Sequence, residues 1–123
     1  MPDADPTTRP VHRWYTRPVL FVADVHRALA FYVDGLGFEK QWHEGDGAGG
    51  VCQVSRSECE INLCETSRRE GRGRLYIELT PDGLANLRRH LAERDVASQE
   101  TWWGTDVVQV TDPDGNELLF PLS

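Results

Sequence analysis

Apolar positions along the chain fall into short runs of strand length broken by two stretches of helical spacing, and the order is the same twice. In the first half, Arg17 to Val22 ends in a compact apolar run, and Val25, Ala28, Leu29, Tyr32 and Leu36 then recur at helical intervals. That spacing puts them on one side of a helix. Asp24 stands where an N-cap is needed, because its short carboxylate can accept from the first free N–H groups. Gly35 or Gly37 can supply the left-handed stop. Strand-like runs follow at 38–43 (FEKQWH), 51–55 (VCQVS) and 59–64 (CEINLC), separated by Gly-rich and polar turns. The predicted order is β-α-β-β-β.

The second half repeats it. Residues 74–79 (RLYIEL) are strand-like, and Thr80-Pro81 reads as an N-cap with proline at the first helical position. Leu84, Leu87 and Leu91 mark a buried face, while Arg88, Arg89 and Arg94 lie toward the negative end of the helix dipole. Strands are expected at 97–102, 106–111 and 117–121. Before the last of these, DPDGN (112–116) is a turn: Pro113 presets its φ, Gly115 can take a positive φ, and Asp114 and Asn116 can bond their own backbone. A repeat of about fifty residues is a statement about the fold. The expected organisation is α+β: an N-terminal tail over 1–16, one module over 17–65, a polar linker over 66–73 and a second module over 74–123. Neither module can bury both faces of its sheet alone, so the two must share a core, within one chain or across a dimer.

Composition narrows the function classes. The chain has 123 residues, 39% hydrophobic and 27% charged, which suits one globular domain. Lys+Arg 13 against Asp+Glu 20 gives a net charge of −7, which argues against nucleic acid and anionic membrane surfaces and favours cationic ligands. Cys52, Cys59 and Cys64 are odd in number and lack CxxC spacing, so they read as reduced thiols of a reducing compartment. With no apolar segment long enough to span a membrane, the cytoplasm is the expected location.

Three segments in this order, VLFVADVHRALAFYVDGLGF, Trp103-Gly104 and DPDGNELLF, make the chain resemble the vicinal oxygen chelate superfamily of glyoxalases, bleomycin resistance proteins and extradiol dioxygenases. The resemblance implies two βαβββ modules forming a U-shaped, eight-stranded mixed sheet around a cleft. In the enzymes of that family a divalent metal is held there by one His or Glu on the first and last strand of each module. Carried onto this sequence, those four positions are Arg17, Asn62, Arg74 and Leu119. Arginine has no lone pair to give at accessible pH and leucine has no donor atom, so only Asn62 offers even a weak ligand. The resemblance is therefore to the bleomycin-resistance branch. It implies no metal, no cofactor and no catalytic residue. The expected function is sequestration of a planar or cationic, antibiotic-like small molecule by a homodimer; the resemblance implies modules exchanged between chains, and pairing within one chain stays open.

Several other residues have two readings each. Glu117 shares a strand face with Leu119 and either lines the cleft as a fixed negative charge or is a solvated carboxylate at the strand start. Trp102 and Trp103 are neighbours on a strand, so one should face the cleft and offer a flat surface, the other core or solvent. Phe38 and Trp42, four apart on a strand, should share a face, either in the cleft or against the helix. Arg17 and Arg74 are strand-edge surface residues or a pair of cations clamping a carboxylate or partnering cleft acids. His26 and His90 fall off the apolar stripes and read as surface; His43 with Glu60 and Glu117 could build a substitute metal site. Two other functions stay open at this point. One is a metal-dependent lyase, isomerase or dioxygenase with substitute ligands, which metal content separates. The other is an interaction domain with a filled cleft, which would bind no small molecule.

Overall fold

The computed structural model describes residues 14, 16–44, 50–66 and 71–122. Its elements run β1 (Val19–Val22), α1 (Val25–Leu29, extended by a π-helical stretch Ala30–Gly35), β2 (Glu39–Glu44), β3 (Val51–Arg56), β4 (Cys59–Glu65), β5 (Arg74–Tyr76), α2 (Pro81–Glu93), β6 (Gln99–Trp102), β7 (Asp106–Thr111) and β8 (Glu117–Pro121). The twofold β-α-β-β-β order is thus present. The expected tail lies almost wholly outside the described residues, as does the middle of the expected linker.

Local chemistry sets the helix ends. Asp24 caps α1 by accepting from the His26 and Arg27 amides, and Glu65 on β4 accepts from Val25 N at 2.9 Å. In the π-helical stretch Leu36 N donates to Phe31 O, five residues back, and the wider turn keeps Tyr32 and Leu36 both fully buried. Gly37 then takes φ +81° and ends the helix. Thr80 caps α2 through Gly83 N, with Pro81 next to it.

The eight strands of the two expected modules make two four-stranded mixed sheets, ordered β1-β4-β3-β2 and β5-β8-β7-β6. In each, the first strand runs parallel to the last strand of its module, and the other pairings are antiparallel. The first strands of the two sheets approach at one end only, where Gly71 N donates to Phe21 O at 3.0 Å. Gly71 has φ +82°, and a Cβ there would run into the Asp114 carbonyl, so glycine alone permits the approach. Toward Thr16 and Leu79 the seam opens into a cleft of about 590 Å³.

The helix-bearing faces of both sheets share one apolar cluster. Leu20, Val22, Ala28, Tyr32, Leu36 and Ile61 from the first module join Leu87, Leu91, Val108, Leu118 and Phe120 from the second. Within this one chain, residues of both modules thus contribute to a common core. What remains over is the opposite face of each sheet.

The DPDGN turn fastens the modules together. Asp112 Oδ1 accepts from the amides of Asp114 and Asn116, and Oδ2 accepts from Tyr32 OH and Asn116 Nδ2, both at 2.9 Å. Asn116, fully buried, also donates to Phe21 O and accepts from Gly73 N. The backbone-bonding role expected of Asp114 falls instead to Asp112. Asp114 reaches into the first module, accepting from Ala23 N and from Arg27 Nη2 at 2.7 Å. Burial and the neighbouring Asp112 carboxylate push the Tyr32 hydroxyl far above its ordinary titration range, so it stays a donor.

Candidate functional site

Side-chain alternation decides what the open faces carry. In the first module Leu20 and Val22, Ile61 and Leu63, Cys52 and Val54 point into the core. Their neighbours Val19, Asn62 and Gln53, aligned by strand register, face the other way. In the second, Leu75, Leu118, Val108 and Val110 pack on the core side, which leaves Arg74, Tyr76, Glu117, Leu119 and Gln109 opposite. Four of the exposed large apolar residues lie there: Val19 is 48% exposed, Trp42 43%, Tyr76 42% and Trp103 47%.

Each open face holds an arginine–glutamate pair in the same place. Arg17 Nε donates to Glu60 Oε1 at 2.8 Å, and Arg74 Nε to Glu117 Oε1 at 2.7 Å, each pair spanning 43 residues. Of the readings open for the two arginines, the structure has them partner acids on the same face, Arg74 taking Glu117. Glu117 Oε2 also accepts from Gln109 Nε2 at 3.2 Å. With both partners part-exposed, each pair is worth no more than about 1 kcal/mol of stability. Their interest is what they leave on offer to a ligand.

The structure separates residues the sequence had grouped. Phe38 and Trp42 do not share a face. The β2–β3 register shifts between Lys40 and Trp42, and this bulge sends Phe38 into the core against Tyr32 while Trp42 lies on the open face, its Nε1 donating to Gln53 Oε1 at 2.8 Å. Trp102 and Trp103 do diverge. Glu100 on β6 pairs with Arg88 of α2, so Trp102, two residues on, lies on the helix side and is 70% exposed. Trp103 leaves the strand at a bend where Gly104 has φ +76°, and its ring sits 5.4 Å from Tyr76 at 37°. Tyr76 was missed by sequence reasoning, although its place two residues after Arg74 on one strand was the available signal. Leu119 lies in register with Tyr76 and is buried. Asn62 is half-buried, with a buried Oδ1 that no donor among the described residues reaches.

His43, Glu60 and Glu117 do not converge within the chain. His43 packs edge-on against His26 at 5.7 Å, and the two glutamates serve their arginines on different sheets. Among the described residues no group of three or more His, Cys, Asp or Glu side chains is placed to hold a metal ion. The donor chemistry at the four family positions, two guanidiniums, one alkyl chain and one amide, does not fit a divalent metal. His90, expected at the surface, is half-buried with its Nε2 against Gly37, and burial together with Arg94 and Arg56 lowers its pKa. The thiols are unpaired; burial pushes Cys52 up to about 11 and raises Cys59 too, so neither is a ready nucleophile.

The far faces thus carry paired charges and half-exposed aromatics, and comparison with known proteins places the chain in a family. A family model described as glyoxalase superfamily protein matches residues 7–122, and the chain belongs to that superfamily. It is 26% identical over 125 residues to a bleomycin resistance protein of Geobacillus stearothermophilus, covering 84% of this chain and 92% of the relative. Among solved structures it is similar to a bleomycin-binding protein from bleomycin-producing Streptomyces verticillus, complexed with copper(II)-bleomycin, at TM-score 0.72 and 25% identity over 93% of this chain and 99% of that one. A lactoylglutathione lyase from Agrobacterium tumefaciens shares the fold at TM-score 0.67 and 16% identity, covering 89% and 93%. The expected kinship with the bleomycin-resistance branch of the vicinal oxygen chelate superfamily is borne out. No helix among the described residues is long and apolar enough to cross a membrane.

Proposed function

We propose that the protein is an antibiotic-sequestering binding protein, which holds a planar small molecule against its open sheet faces and releases it unchanged. The observation that carries this is the substitution of function at the family's metal positions. Arginine–glutamate pairs stand on both faces, with half-exposed Trp42 on the first and Tyr76 and Trp103 on the second. Such a surface gives stacking area and fixed hydrogen-bonding groups but no Lewis acid and no activated nucleophile. The similarity to bleomycin resistance and bleomycin-binding proteins supports the same reading.

The leftover faces also favour assembly. We infer a homodimer in which the first-module face of one chain meets the second-module face of the other, giving two grooves related by symmetry. Apolar and aromatic surface left open on both sheets after the chain has built its own core supports this arrangement, as does the Asn62 Oδ1 on the first-module face, which has no partner among the described residues. The free thiols suit a cytoplasmic location. The test combines light scattering at micromolar concentration with titration of bleomycin and other planar antibiotics, followed by mass spectrometry of the recovered ligand. A dimer that binds at least one such compound and returns it intact is expected. No binding across the panel, or recovery of a converted product, overturns the reading.

A further inference from the structure

We propose that the open face of the second module selects planar ligands bearing an anionic or strongly accepting edge, such as an aryl carboxylate or a phenolate, over planar cations. This rests on the binding-protein reading above and names the ligand chemistry of one of its faces. The acidic net charge and Glu117 had favoured a cation. Glu117 is already taken: one oxygen accepts from Arg74 Nε at 2.7 Å and the other from Gln109 Nε2 at 3.2 Å. An incoming cation must compete with a guanidinium in contact, and a guanidinium bound by a neighbouring carboxylate loses little by staying where it is.

Arg74 supplies the opposite chemistry. It is engaged through Nε alone, its two terminal nitrogens have no partner among the described residues, and half of its side chain is exposed. A guanidinium pinned at one edge keeps a fork of N–H groups pointing away from the pin, the shape that matches a carboxylate with two parallel hydrogen bonds. Pinning also removes rotamer freedom before the ligand arrives, which lowers the cost of binding. Tyr76 lies two residues farther along β5 on the same face, roughly 7 Å away at the usual strand rise. Its ring and that of Trp103 form a stacking surface, 5.4 Å between centroids, each nearly half exposed. A fused aromatic system laid on that surface carries a substituent on its rim to the guanidinium fork. The net charge of −7 works against an anion at long range. At about 0.1 M salt that field is screened within about 10 Å, so the local contact decides.

The experiment compares naphthoate with naphthylmethylammonium, the same ring with opposite charge, by calorimetric titration of the full chain and of Arg74→Gln. Naphthoate is expected to bind at least tenfold more tightly to the parent, and Arg74→Gln should bring the ratio of affinities to near unity with an unchanged circular dichroism spectrum. Arg74→Lys, which keeps charge and loses the fork, should retain only part of the preference. Equal or tighter binding of the ammonium compound, or an unchanged ratio in Arg74→Gln, overturns the charge selection and leaves planar-ligand binding standing. If neither compound nor any planar antibiotic binds the folded parent, both readings fall together.

Discussion

Trp103→Ala is the sharpest perturbation of the proposed groove, because a neighbouring tryptophan provides its control. Trp103 is 47% exposed. For an aromatic side chain of about 250 Å², that leaves about 120 Å² open to a ligand. If a bound ring covers half of this, about 60 Å² at about 25 cal/mol per Å² gives about 1.5 kcal/mol. Stacking geometry adds about 0.5–1.5 kcal/mol. The sum, about 2–3 kcal/mol, is a loss of roughly 30- to 150-fold in affinity. The side chain stands at a surface bend, so truncation leaves no sealed cavity and should change stability by less than about 1 kcal/mol. Trp102→Ala removes a side chain of the same size, 70% exposed, from the α2 side of the same strand. It should leave affinity within about twofold. Calorimetric titration of naphthoate, or of any planar antibiotic that binds the parent, reads both variants. Equal losses in the two, or no loss in Trp103→Ala, would refute the assignment of the open face as the ligand surface.

Tyr32→Phe deletes one of the hydrogen bonds to the buried Asp112 carboxylate and should cost about 1.5–3 kcal/mol in urea unfolding; a cost under about 0.5 kcal/mol would show that the clamp does not hold the modules. His90 has a lowered pKa when folded, so the unfolded chain takes up its proton first as pH falls below the ordinary 6.5. Stability should therefore fall on acidification from about that point until the folded pKa is passed, and His90→Leu should flatten this limb of the melting-temperature profile. Gly37→Ala combines φ +81° with a Cβ meeting His90, and should lower the melting temperature visibly while leaving ligand affinity alone. Glu117→Gln should weaken the hold on Arg74 and change naphthoate affinity less than Arg74→Gln does, since the guanidinium remains.

Pattern alone was enough for the modules, both N-caps and the positions of the strands, most of them within about two residues, because apolar spacing and capping chemistry are local properties. What stayed hidden depends on register. The bulge that parts Phe38 from Trp42 adds a residue to β2 without any marker such as glycine or proline. The coupling of Arg74 to Glu117 follows from a parallel pairing across 43 residues, which spacing along one strand does not reveal. The duplicate pair Arg17–Glu60 was a clue: the same two residue types recur at the same separation in the other module. The close approach of Gly71 to the Asp114 carbonyl is likewise a tertiary matter with no linear signature.

The fastening of the modules through Asp112, Asn116 and Tyr32 has a consequence for how this protein can change over time. The groups that lock the chain lie at one turn and along the helix side, whereas Val19, Trp42, Tyr76, Arg74 and Trp103 sit on the far faces and contribute little to the lock. Substitution at those five positions is therefore largely uncoupled from folding, and a lineage can drift from one toxin to another without passing through an unstable intermediate. The same separation makes the chain a practical starting point for laboratory evolution: a library randomised at the far faces should stay mostly folded, and selection would then act on recognition and on the pairing of chains.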